Sequence, residues 1–147
     1  MAGTSGKDLS QVLHASAVAV GGRGLLITGA SGSGKSSLAL QLIALGADLV
    51  ADGGVVVTPR AEGGLILSAP KAIRGQIEAR GLGILAAEPV TALAVAVVDM
   101  DKVETDRLPE RREIVIAGAT LPLLRRVESP AFASMLHLYL IGSRIAP

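Results

Sequence analysis

The chain has 147 residues, 50% of them apolar and 18% charged, with a net charge of +1. That length fits one domain with a real core, and that balance excludes global disorder and offers no basic surface for nucleic acid. The absence of Cys excludes disulfides and thiolate chemistry, and the best apolar run, residues 91–98, falls far short of the roughly 20 residues needed to span a membrane.

The opening MAGTSGKDLS lacks the basic start and apolar stretch of a secretory signal, so residues 1–11 read as a flexible lead-in. Residues 12–147 read as a single domain, with the cytoplasm as the expected compartment. One Phe, one Tyr and no Trp leave the core to Val, Leu, Ile and Ala, a composition that points to α/β layering. Residues 12–20 form a Val/Ala-rich strand ending at a hairpin turn, Gly21-Gly22. Residues 24–28 (GLLIT) are continuously apolar, the pattern of a strand buried on both faces. After a Gly/Ser loop, residues 36–45 carry Leu38, Leu42 and Leu45 at helical spacing, stopped by Gly46.

Further strands are predicted over residues 48–52, 55–58 and 65–68, with Glu62-Gly63-Gly64 as a turn. Pro70 opens a predicted short helix that runs to Glu78. Residues 92–98 give the strongest strand signal, followed by a charged loop over residues 99–113. Two short strands, residues 114–116 and 121–124, lead to a final helix over residues 130–141. Met135, Leu136, Leu138 and Leu140 there supply core or oligomer faces.

The loop Gly29-Ala30-Ser31-Gly32-Ser33-Gly34-Lys35-Ser36 matches the pattern G-x-x-x-x-G-K-[ST] in full. Its glycines let successive backbone N–H groups turn inward toward phosphate oxygens, and the helix that follows directs its positive end at the same anion. Lys35 is suited to neutralise the β- and γ-phosphates, and the Ser36 hydroxyl to hold Mg²⁺. A buried-type strand before the motif and an amphipathic helix after it supply the expected context. The motif specifies phosphate binding without naming a reaction.

Several segments around this loop together resemble the catalytic, C-terminal domain of HPr kinase/phosphorylase. They are LHAS, which contains His14; GLLITGASGSGKSSLAL; GADLVADGG; EARGLGI, which begins at Glu78; ETDRLPE, which contains Arg107; and TLPLLRR. The resemblance implies an α/β P-loop kinase domain with a compact, mostly β core flanked by helices. It implies transfer of phosphate to a serine of an HPr-type phosphocarrier, from ATP or pyrophosphate with Mg²⁺, and the reverse phosphorolysis. It further implies that His14 and Arg107 assist transfer, that Glu78 helps Ser36 hold the metal, and that the chain forms a homo-oligomer. The match to the catalytic domain alone resembles the short form of some proteobacteria, which serves nitrogen-linked phosphotransferase regulation. No nucleic acid or membrane partner is expected.

The chain departs from the family at one chemical position. Where the family has Asp-Asp it has Asp52-Gly53, so the aspartate that serves as base for the serine hydroxyl is missing at Gly53. Asp52 does not simply replace it, because adjacent residues on a regular strand face opposite sides; a bulge at Gly53-Gly54 would relax that constraint. TLPLLRR also lacks the family pattern P-V-x-x-G-R, which weakens the phosphorylase half of the expectation. Two readings stand beside the kinase. One is a nucleotide-sensing module of the same fold that no longer catalyses. The other is a small-molecule P-loop kinase, weakened by the absence of a long Arg-rich lid segment.

Overall fold

A computed structural model describes residues 9–142. Eleven strands and two helices follow one another in it. They are β1 (Gln11–Leu13), β2 (Ser16–Val20), β3 (Arg23–Thr28), α1 (Lys35–Ala44), β4 (Asp48–Asp52), β5 (Val55–Pro59), β6 (Leu65–Ser68), β7 (Gln76–Ala79), β8 (Gly83–Ala86), β9 (Ala92–Val103), β10 (Arg112–Ile116), β11 (Ala119–Arg126) and α2 (Phe132–Gly142). The expected lead-in lies mostly outside the described residues, and its last residue, Gln11, already belongs to β1.

Nine strands form one sheet, with the order β1-β5-β6-β9-β3-β2-β4. The long β9 is its axis. One edge pairs in parallel with β3; the other pairs with β6 near Ala92 and in parallel with β11 from Val97 onward. The hairpin from β10 to β11 completes the sheet, while β7 and β8 form a separate two-stranded ribbon.

Both faces of the sheet are covered, which explains the unbroken apolar run of β3. Leu25 and Ile27 face a core shared with Leu38 and Leu42 of α1 and Leu136 and Leu140 of α2. Leu26 faces the opposite core, where Ala17 and Val50 from one end of the sheet meet Val57 and Leu67 from the other. The sheet therefore curls over its second face, and small side chains (Ala15, Ala17, Ala19) let the strands close together. α1 ends in a Schellman turn: Ala47 N–H donates to Leu42 O and Gly46 N–H to Ile43 O.

Three expectations need correction. The strand expected over residues 12–20 is two, broken at His14-Ala15 where the chain leaves β5 for β3. The helix expected from Pro70 to Glu78 is a single 3-10 turn, Lys71–Ile73, followed by β7; the Gly75 carbonyl accepts from Ala87 N–H, which ties this segment to the end of β8. The charged loop expected after residue 98 begins later, because pairing with β11 and burial of Met100 carry β9 on to Val103. Of the predicted stripes, Leu38, Leu42, Leu136 and Leu140 are core, while Leu45, just past the end of α1, Met135 and Leu138 are exposed. No helix among the described residues is long and apolar enough to cross a membrane.

Candidate functional site

The strands β3, β9 and β11 run parallel, and the Gly-rich loop leaves β3 at their carboxyl edge, where open α/β sheets place ligands. Gly29 has φ 144°, and a Cβ there would lie 2.6 Å from Ser33 Oγ and 3.1 Å from Met100 Cβ. The loop thus closes against β9 only because position 29 has no side chain. Gly34 caps α1 without any side-chain hydrogen bond, and the first turn of the helix contains no acid. The first-turn N–H groups of α1 therefore receive no side-chain cap at the edge where an anion would bind.

Lys35 is buried, at 7% exposure, with its Nζ folded into the loop and donating to Gly29 O at 2.9 Å and Ala30 O at 3.0 Å. Ser33 Oγ is buried and has no hydrogen-bond partner among the described residues, a spare polar group inside the loop. From the end of β9, both carboxylate oxygens of Asp101 accept the Ala30 N–H, at 3.0 and 3.1 Å. One loop N–H is thereby committed to the protein itself, and the start of the loop is tied to the strand beside it.

Beyond the loop lies a cavity of about 310 Å³ lined by His14, Ser31, Lys35, Ser36, Gly53 and Glu78, among others. His14 Nε2 lies 3.2 Å from Ser31 Oγ. Ser36 Oγ donates to Asp52 Oδ1 at 2.7 Å, and the same oxygen accepts from Ser16 Oγ at 2.7 Å.

A bulge brings Asp52 to this position. Ala17 pairs with Ala51 and Val18 with Leu49, so Val50 is extra in β4. Leu49 faces the helix-side core, whereas Val50 and Ala51 both face the opposite core. That doubled step shifts the alternation by one and returns Asp52 to the side of α1 and Ser36. The bulge thus precedes Asp52 and does not use the freedom that Gly53-Gly54 offers.

Gly53 follows with φ 90°, and a Cβ built on it meets no atom within 4 Å. A side chain at this position would have room, while the backbone conformation suits glycine. The ribbon of β7 and β8 closes the cavity. Ile77 is buried in the helix-side core, and the residues after it, Glu78 and Arg80, line the cavity wall. No group of three or more His, Cys, Asp or Glu residues spaced for a metal occurs among the described residues.

The structure therefore brings together His14, the loop residues around Lys35 and Ser36, Asp52, Gly53 and Glu78. It does not bring Arg107 to them: that residue is exposed in the segment between β9 and β10 and is not among those lining the cavity. Sequence reasoning missed Ser16, whose signal was a hydroxyl set among buried Ala and Val. It also missed Asp101, an acid just beyond the strongest strand, and Arg80, which lines the cavity.

Comparison with known proteins follows the same lines. Residues 8–110 match the family model described as the HPr Serine kinase C-terminal domain. The chain is 49% identical over 78 residues to an HPr kinase/phosphorylase of Chloroherpeton thalassium, covering 53% of this chain and 23% of that protein. It is 52% identical over 73 residues to one of Clostridium tetani, covering 50% and 24%. The matched stretch thus spans about a quarter of the length of these relatives. The fold is similar to the structure titled HPr(Ser) kinase/phosphatase from Coxiella burnetii, with a TM-score of 0.72 and 24% identity over 89% of this chain and 93% of that one.

Proposed function

The chain belongs to the family of HPr serine kinase C-terminal domains, and on that premise we propose that it transfers phosphate from a nucleotide or pyrophosphate to a serine of an HPr-type carrier, with phosphorolysis as the reverse. The observation that carries this reading is the meeting of the Gly-rich loop and Glu78 around one cavity, with the Ser36 hydroxyl of that cavity already bonded to the Asp52 carboxylate. Lys35 and the loop N–H groups would hold the β- and γ-phosphates. The same reading includes a cytoplasmic location and assembly of the chain with copies of itself.

The residues present fit Mg²⁺. Ser36 offers lone pairs while its proton goes to Asp52, and Glu78 supplies a carboxylate to the same cavity, one or two protein oxygens beside substrate phosphates being the usual share for this ion. When bound, the ion would neutralise charge on the phosphate oxygens.

In the forward direction the acceptor hydroxyl forms a bond to the γ-phosphorus as the bond to the leaving β-phosphate oxygen breaks, and the hydroxyl proton must leave. Gly53 offers no group to take it, and Asp52 Oδ1 already accepts two hydroxyl protons. His14 lines the cavity and supplies an imidazole nitrogen there as the candidate proton acceptor. Arg107 enters this scheme from the family resemblance alone.

A second reading is favoured by Gly53 itself: the chain binds nucleotide, associates with its partner and does not transfer phosphate. One experiment separates the two. The protein is incubated with Mg²⁺, ATP and an HPr-type carrier, and the carrier is examined by intact mass. A carrier that gains one phosphate supports the kinase; nucleotide binding with an unmodified carrier supports the sensor.

A further inference from the structure

Ser16, at 1% exposure, and Lys35 are both buried, and both line the same cavity. Lys35 has its place in the loop. Ser16 has no assigned role, yet it stands in a strand whose neighbours Ala15, Ala17, Val18 and Ala19 are all fully buried. Alanine would fill that strand position without a buried hydroxyl, so the hydroxyl calls for a reason.

The reason lies opposite it. Ser16 and Asp52 are direct partners in the ladder between β2 and β4; the regular alternation of β2 places Ser16 on the α1 side, and the bulge at Val50 turns Asp52 to the same side. Ser16 Oγ donates to Asp52 Oδ1 at 2.7 Å, and Ser36 Oγ donates to the same oxygen at the same distance. No donor among the described residues engages Asp52 Oδ2. The Ser16 hydroxyl therefore fixes which oxygen of the carboxylate faces Ser36, and how the carboxylate is rotated.

We propose that Ser16 is a positioning residue for the cation that accompanies the nucleotide: it holds Asp52 so that Asp52 draws the Ser36 proton inward, leaving the Ser36 lone pairs facing the cavity. A hydroxyl presents lone pairs to a cation only if its proton is taken elsewhere, and orienting partners one step behind a ligand govern how well that ligand binds. Without the Ser16 hydroxyl, the Asp52 carboxylate is free to rotate, and the Ser36 proton is no longer held away from the cavity. This inference rests on the reading of the cavity as a site for a magnesium nucleotide.

The test is the binding of ADP by calorimetry, with Mg²⁺ and with EDTA, to the wild type, Ser16→Ala and Ser16→Cys; the cysteine nearly keeps the volume while offering only a weak donor. Thermal melting of each variant checks that it is folded. We expect Mg²⁺ to strengthen ADP binding to the wild type, and that enhancement to fall about tenfold or more in both variants. Binding in EDTA should stay within about twofold of wild type, because the loop and Lys35 are untouched. A purely structural Ser16 would lower melting and leave the Mg²⁺ enhancement intact, which overturns the proposal. A wild type that binds no ADP under either condition overturns the reading of the site and this inference together.

Discussion

The chemistry of the site turns on two adjacent residues, Asp52 and Gly53. Asp52 is bonded to two serine hydroxyls through Oδ1, so it is poised to orient Ser36. Gly53 lines the cavity, with open space around the position of its missing Cβ. A Gly53→Asp variant should therefore fit sterically and restore a base, raising the transfer rate by about 10²–10⁴-fold while leaving nucleotide affinity unchanged. The same substitution forces a side chain onto φ 90°, so denaturant unfolding should show a loss of about 1–2 kcal/mol. Equal transfer rates in the two proteins would mean that position 53 does not govern proton removal. The sequence alone made Gly53 visible as a departure, because it breaks a family pattern. The role of Asp52 was hidden, because the parity of β4 depends on a bulge that apolar Leu49, Val50 and Ala51 do not announce.

Two elements outside the site carry predictions of their own. The hairpin between β10 and β11 turns through Ala117 (φ 49°) and Gly118 (φ 82°), both in the left-handed region. That is the conformation in which Asn-Gly is strongly favoured and alanine is strained. Ala117→Asn should stabilise the protein by about 0.5–1 kcal/mol in denaturant unfolding, and no change or a loss would contradict the turn assignment. At the far end of the same strands, Arg112 of β10 pairs with Glu104 just past β9. That hydrogen bond holds the Glu104 carboxyl below its ordinary value against the desolvation that pushes it up, helped by the backbone N–H groups of Asp106 and Thr105. A lowered carboxyl pKa stabilises the fold fully above the unfolded value, and the contribution fades as pH falls through the folded value. Glu104→Gln should therefore be less stable than wild type at neutral pH, and the gap should close as pH falls below the ordinary carboxylate range. A gap in stability that does not depend on pH would refute the pairing as its source.

At the scale of the whole molecule, most of the architecture was legible because hydrophobic pattern and turn chemistry agreed. The unbroken run of β3, the Gly21-Gly22 turn, the loop and α1 all stand where the sequence put them. The failures share a physical cause, which is pairing imposed from outside the segment. Residues 99–103 mix charged Asp99, Asp101 and Lys102 with apolar Met100 and Val103, and they continue β9 because β11 hydrogen-bonds to them. Residues 76–86 are Gly-rich and mostly exposed, so neither burial nor period marked them as a ribbon; Ile77 alone anchors them to the core. That ribbon is also what delivers Glu78 to the cavity, so the family resemblance named the residue while its element was misread.

The claim that this fold works as a carrier kinase is tested most directly by intact mass of an HPr-type carrier after incubation with MgATP, using wild type and Lys35→Ala in parallel. The account predicts one added phosphate with the wild type, and none with the variant, whose loop has lost the buried ammonium. An unmodified carrier with the wild type, or equal phosphorylation by both proteins, would contradict it.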